Sequence, residues 1–175
     1  MKMRTEHKMP TRINIRPAHQ SDSPEIGKLL AQIVQVHYDV RPDIFRQSYR
    51  NESDYMVNPQ NMDAPVFVAV NEQNRVVGCL WCIIERMRDN SMKVNRDWLV
   101  IDDICVDEEY RWHGIGGQLV DYAKHLAQER GLRRIELNVY ENNRDAVRFY
   151  EHIGFQMHIP IASGQQSGYI RARIR

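Results

Sequence analysis

Val106-Asp107-Glu108-Glu109-Tyr110-Arg111-Trp112-His113-Gly114-Ile115-Gly116-Gly117 joins the end of an apolar strand pattern to the start of a long helical one. An acidic turn, an arginine and three closely spaced glycines lie between them. A helix N-terminus leaves its first N–H donors unpaired and carries about half a positive charge, so anions settle there. Glycines let a ligand reach those donors without side chains in the way. Working outward, Trp98 to Val106 reads as a long strand. The helix after Gly116 has apolar positions at Leu119, Tyr122, Ala123, Leu126 and Ala127, with Gly131 as its stop. Ile135, Leu137 and Val139 alternate with polar residues as a further strand. This is a βαβ unit, so its two strands are expected parallel with a right-handed crossover.

The flanking sequence extends the sheet. Ile13 to Arg16 can start it, and Ser23-Pro24 offers an N-cap and a first-turn proline for a helix carrying Ile26, Leu29, Leu30, Ile33 and Val34. Arg41-Pro42 ends that helix, since the residue before proline is pushed from helical geometry. Phe45 to Pro65 is polar and irregular, with room for one short helix. Val66–Val70 and Val76–Ile84 form strands joined by a polar turn. Asn143 caps a short helix ending at Gly154, and Phe155–Ile159 and Tyr169–Ile174 read as the last strands. The order βα(α)βββαβαββ predicts an α/β single domain, with a mixed central sheet of about seven strands and helices on both faces.

The length of 175 residues suits one domain over residues 12–175, preceded by a flexible tail over residues 1–11. A formal net charge of +1 supplies no basic face for nucleic acid. The tail lacks the apolar run of a signal peptide or membrane span, which predicts a cytoplasmic protein with no membrane partner. Cys79, Cys82 and Cys105 all sit in strand-like segments. Cys79 and Cys82 lie three apart, on opposite faces of a strand, and no second ligand pair follows. Buried free thiols and no metal are expected.

Three phosphate cradles compete for the glycine turn. A Walker loop needs a lysine after the glycines, and none is present. A dinucleotide fold needs Gly-x-Gly-x-x-Gly after an early strand, whereas Leu119 follows Gly114-Ile115-Gly116-Gly117-Gln118 and the strand is late. Arg/Gln-x-x-Gly-x-Gly/Ala opening a helix is matched fully by Arg111-Trp112-His113-Gly114-Ile115-Gly116. Here the chain resembles the GNAT superfamily of acetyl-CoA-dependent N-acetyltransferases. Asn143-Arg144-Asp145-Ala146-Val147-Arg148-Phe149-Tyr150-Glu151-His152-Ile153-Gly154-Phe155 is similar to the family's Asn-x-x-Ala-x-x-(Phe/Leu)-Tyr-x-x-x-Gly-Phe segment. The resemblance covers Pro65 to Phe155. The stretch His37 to Phe45 resembles one in bacterial members and names no substrate. Trp112 departs from the family pattern, which usually has glycine there.

The resemblance implies acetyl-CoA between two splayed parallel strands. Its pantetheine arm would meet Ile104, Cys105 and Val106, and Asn143 from the other side. Its pyrophosphate would meet backbone N–H groups from Arg111 through Trp112, His113, Gly114, Ile115 and Gly116 to Gly117. An alkyl ammonium of pKa ~10.4 must lose a proton before attack, and a thiolate of pKa ~8.5 benefits from receiving one. Tyr150 matches the family's general-acid position. Asp102 and Asp103 interrupt an apolar strand and are the candidate bases, at most one of them facing a given cleft. Glu85 or ordered water are alternatives. The expected activity is acetylation of a primary amine on a small molecule. A peptide N-terminal acetyltransferase and a non-catalytic acyl-CoA-binding module are the alternatives. The C-terminal strands leave room for a homodimer, with no residue pattern arguing for it.

Overall fold

The computed structural model describes residues 12–47, 57–158 and 169–174. Its elements are β1 (Asn14–Pro17), α1 (Ser23–Val40), β2 (Val66–Val70), β3 (Val76–Met87), β4 (Arg96–Val106) and α2 (Ile115–Glu129). β5 (Ile135–Tyr140), α3 (Arg144–His152), β6 (Gln156–His158) and β7 (Tyr169–Ile174) follow. The strands form one sheet in the order β1-β2-β3-β4-β5-β7-β6. Every pairing is antiparallel except β4 with β5, the two strands joined through α2. The mixed α/β architecture read from the sequence is the one found.

Two apolar layers sandwich the sheet. α2 and α3 pack on one face, where Leu80, Leu99, Leu119, Val120 and Leu137 are almost wholly buried. α1 covers the other face, packing Ile26 and Leu30 with Val68, Cys79 and Cys105 of the sheet. Burying each large side chain contributes about 1.5–3 kcal/mol. Gly78 sets the spacing between β3, β4 and α2. A Cβ there would lie 3.0 Å from the Cys105 carbonyl oxygen and 3.3 Å from Leu119 Cδ1.

One local expectation changes. Ser23 is the first residue of α1 rather than its cap, because a 3-10 turn over Gln20–Asp22 leads directly into the helix. Asp22 sits at the cap position, but its carboxylate accepts bonds from Arg16 at 2.7 and 3.0 Å and from the His19 N–H at 2.7 Å. A guanidinium is the stronger partner, and it holds the Asp22 carboxyl below its usual range. The Ser23 hydroxyl is thereby free to accept from the Val57 N–H at 3.3 Å, tying the long connection to α1. In the connection where one short helix is expected, residues 57–65 form turns that close through Asn58 and Asn61. Residues 48–56, the tail over residues 1–11 and the strand end at Ile159 lie outside the described residues. No helix among the described residues is long and apolar enough to cross a membrane.

Candidate active site

β4 and β5 pair at Leu99–Ile135, Val100–Glu136 and Ile101–Leu137, and no further. The next residue of β4 is the cause. Opposite β3, Cys82 pairs with Ile101 while Trp81 pairs with Asp103, so Asp102 is an extra residue in the ladder. Such a bulge bends its strand and increases the local twist. Beyond it β4 runs on to Val106 and β5 to Tyr140 without pairing, and the gap opens into a cavity of about 1320 Å³.

The bulge also resets which way side chains point. Leu99 and Ile101 face the α2 layer, as do Ile104 and Val106 after it, whereas Cys105 faces α1. Asp102 and Asp103 both line the cavity. So do all the other residues of β4 from Val100 to Val106. Burial raises both carboxyls, and the Asp102 charge helps push Asp103 up to about 6. Backbone direction alternates too. The Asp107 N–H bonds to the Val77 carbonyl of β3 at 3.0 Å, so Cys105 also turns its peptide groups to β3. Ile104 and Val106 turn theirs to the open cleft. The Cys105 thiol donates to the Leu29 carbonyl at 3.1 Å and is pushed by burial up to about 12, so it stays protonated. All three cysteines are free and buried.

At the cavity's other end, α2 starts at Ile115 behind Gly114, whose φ of +76° favours glycine. The first helical backbone bond runs from the Gln118 N–H to the Gly114 carbonyl, 3.1 Å. The N–H groups of Ile115, Gly116 and Gly117 therefore have no partner in the helix ladder. A Cβ on Gly114 or Gly117 would meet nothing within 4 Å, whereas one on Gly116 would lie 3.1 Å from Phe149 Cζ. Gly116 thus seats α2 on α3, and the other two leave open space before the donors. Unpaired donors facing open space suit an anionic pyrophosphate.

Side chains fix this turn. Arg111 points inward, its Nε donating to the Val106 carbonyl at 3.1 Å and its Nη2 to Gln32 Oε1 at 3.2 Å. Arg75 pairs with Asp107 at 3.0 Å, and Asn71 donates to the Tyr110 hydroxyl at 3.2 Å. His113 Nδ1 lies 2.7 Å from the Arg111 carbonyl. Trp112, at φ +67°, stands 93% exposed on the cavity rim.

Asn143 does two jobs: its Oδ1 accepts from the Ala146 N–H at 3.2 Å, capping α3, and the residue lines the cavity. From α3, Tyr150 reaches the same cavity with 8% exposure, packed against Phe149 and Phe155. Burial, reinforced by the Asp103 charge, holds its phenol above the ordinary value. A phenol so placed keeps its proton near neutral pH and can donate it. Glu85 is exposed on β3 opposite Trp98 and does not line the cavity.

The sequence pattern assigned no role to two further contributors. Gln32 on α1 bridges to the glycine turn through Arg111 and the Glu108 N–H. His37, Phe45 and Tyr140 meet as a ring cluster on the cavity wall, with centroids 4.9 Å apart for His37–Phe45 and 5.7 Å for Phe45–Tyr140. Burial lowers the His37 pKa, and the Arg41 guanidinium lies over the Tyr140 ring, 5.7 Å from its centroid. Among the described residues, no His, Cys, Asp and Glu group is placed to hold a metal.

A profile of the acetyltransferase (GNAT) family matches residues 32–155. The chain is 32% identical over 145 residues to the peptidyl-lysine N-acetyltransferase YjaB of Salmonella typhimurium, spanning 83% of this chain and 84% of that one. It is 38% identical over 69 residues to the spermine/spermidine N(1)-acetyltransferase of Bacillus subtilis, 39% of this chain and 44% of the relative. The structure of BH1408 from Bacillus halodurans, in a tetramutant form, superposes with a TM-score of 0.78 at 28% identity, covering 87% of this chain and 97% of the other.

Proposed function

The chain belongs to the GNAT family and is an N-acetyltransferase, and from that premise we propose that it moves an acetyl group from acetyl-CoA to a primary amine at the end of an alkyl arm, on a small molecule. One observation carries this reading. The splayed β4–β5 cleft joins an anion cradle at α2 to an acid, Tyr150, and a carboxylate pair, Asp102 and Asp103, within one cavity. The donor supplies the activated acetyl group, its arm along the open edge of Ile104 and Val106 and its pyrophosphate at Ile115 to Gly117. Val106 offers mainly its N–H, because Arg111 already holds its carbonyl.

Asp103 takes a proton from the incoming ammonium. At about 6 its carboxyl is ionised at neutral pH yet more basic than an ordinary aspartate. Asp102 beside it adds negative charge that favours a cationic acceptor. Tyr150 gives its proton to the departing sulfur and takes back the second proton, which the amine nitrogen loses once bonded to the acetyl carbon, while Asp103 returns its own to solvent. The ring cluster of His37, Phe45 and Tyr140 suits an aliphatic arm. The two named relatives act on lysine side chains and on polyamines, and both acceptors present a primary amine on such an arm.

The test is release of free thiol from acetyl-CoA across polyamines, small alkyl amines, lysine peptides and free peptide N-termini. The reading expects turnover with one or more small alkyl amines. Turnover confined to lysine peptides would move the acceptor to protein side chains, as for YjaB. Turnover confined to peptide N-termini would refute the alkyl arm. Tight acetyl-CoA binding with no thiol release from any acceptor would leave a binding module.

A further inference from the structure

We infer that Trp112 is the platform on which the adenine ring of the donor stacks, a contact that rests on the reading of the cleft as an acetyl-CoA site. Positive φ at non-glycine residues occurs at Asn74, Asp89 and Trp112 among the described residues. Asn and Asp enter that region readily through short polar side chains. A bulky tryptophan does not, and its strain persists only where the surroundings over-determine it. Here they do: Arg111 is held to Val106 and Gln32, His113 to the Arg111 carbonyl, and Gly114 is itself left-handed.

That strain has no return within the fold. The indole is 93% exposed, whereas Trp81 packs on the α1 layer and Trp98 stacks under Arg96 at 5.2 Å. The loop therefore holds a flat aromatic plate in solvent at the rim of the cleft, two residues before the cap of α2. The covalent order of CoA supplies the matching surface. With the arm in the cleft and the pyrophosphate at the α2 N-terminus, the adenosine leaves by the rim. An exposed indole and a purine each present an apolar face, and such stacking is sequence-tolerant and strong enough to matter.

The test compares wild type with Trp112→Ala, Trp112→Phe and Trp112→Gly by titration with acetyl-CoA, with 3′,5′-ADP and with acetyl-4′-phosphopantetheine, which lacks the adenosine. Trp112→Ala should weaken acetyl-CoA and 3′,5′-ADP about tenfold and leave acetyl-4′-phosphopantetheine within twofold. Trp112→Phe should hold acetyl-CoA within about threefold, because a ring remains. Tryptophan fluorescence of the wild type should be quenched by 3′,5′-ADP, and Trp112→Phe should lose that response while keeping Trp81 and Trp98. Trp112→Gly should raise Tm in the free protein, since the strain is relieved. Unchanged acetyl-CoA affinity in Trp112→Ala overturns the inference. So does an equal loss for acetyl-4′-phosphopantetheine, which would trace the effect to loop distortion. A wild type that binds no acetyl-CoA would instead overturn the donor assignment beneath it.

Discussion

Replacing Asp103 by asparagine keeps the shape of the side chain and removes its capacity to take a proton. In the wild type the carboxyl is raised to about 6 by burial and by the neighbouring Asp102 charge, so at pH 7.5 roughly 97% of it is ionised. A positioned base contributes roughly 10²–10⁴-fold. Asp103→Asn should therefore lower kcat/KM at least a hundredfold at pH 7.5 with acetyl-CoA affinity unchanged. The ratio of wild-type to variant kcat/KM, followed from pH 4.5 to 8, cancels the acceptor's own ionisation. It should be flat above about pH 7 and fall about tenfold per unit below 6. Asp102→Asn removes a like charge, so the wild-type limb should move to lower pH in that variant. Stability supplies a second reading. The folded-state pKa of Asp103 lies above its unfolded value, so its stabilising contribution is complete below about pH 4 and lost as pH rises through 6. Asp103→Asn should match the wild type in Tm near pH 4 and exceed it at pH 7.5. A rate ratio below threefold at pH 7.5, or one independent of pH, would remove Asp103 as the base.

Three further outcomes test the remaining parts of the site. Tyr150→Phe should slow turnover at least tenfold while acetyl-CoA binds within twofold, as read by steady-state kinetics beside calorimetry. Loss of binding in step with turnover would make Tyr150 a packing residue instead. Gly114→Val places a β-branched residue at φ +76°, at a cost of about 1–2 kcal/mol. Acetyl-CoA affinity should fall at least tenfold, and unchanged affinity in the same titration would sink the cradle. Gly78→Ala drives a Cβ to 3.0 Å from the Cys105 carbonyl, so β4 must shift. Tm should fall by several degrees and KM for acetyl-CoA should rise, and an unperturbed melt would show that β4 yields freely.

Some of this protein was written locally, and some was not. The βαβ unit, the capped α3 and the glycine cradle follow from periodicity, turn chemistry and unpaired helix donors, all of which act over a few neighbouring residues. Motif spacing placed Asn143 and Tyr150 on α3, and local geometry was enough because both lie within one helix and its cap. Local rules misplaced the cap of α1, where Asp22 answers to Arg16 across a turn rather than to its own helix. The bulge at Asp102, where β4–β5 pairing ends, depends on how β4 meets β3, a register between strands that no single strand encodes. The grip of Gln32 on Arg111, and the meeting of His37 with Tyr140, join residues far apart in the chain. Short-range chemistry determined which groups could bind and react. Where they converge was decided by strand pairing and layer packing, because only long-range contacts bring distant side chains into one cavity.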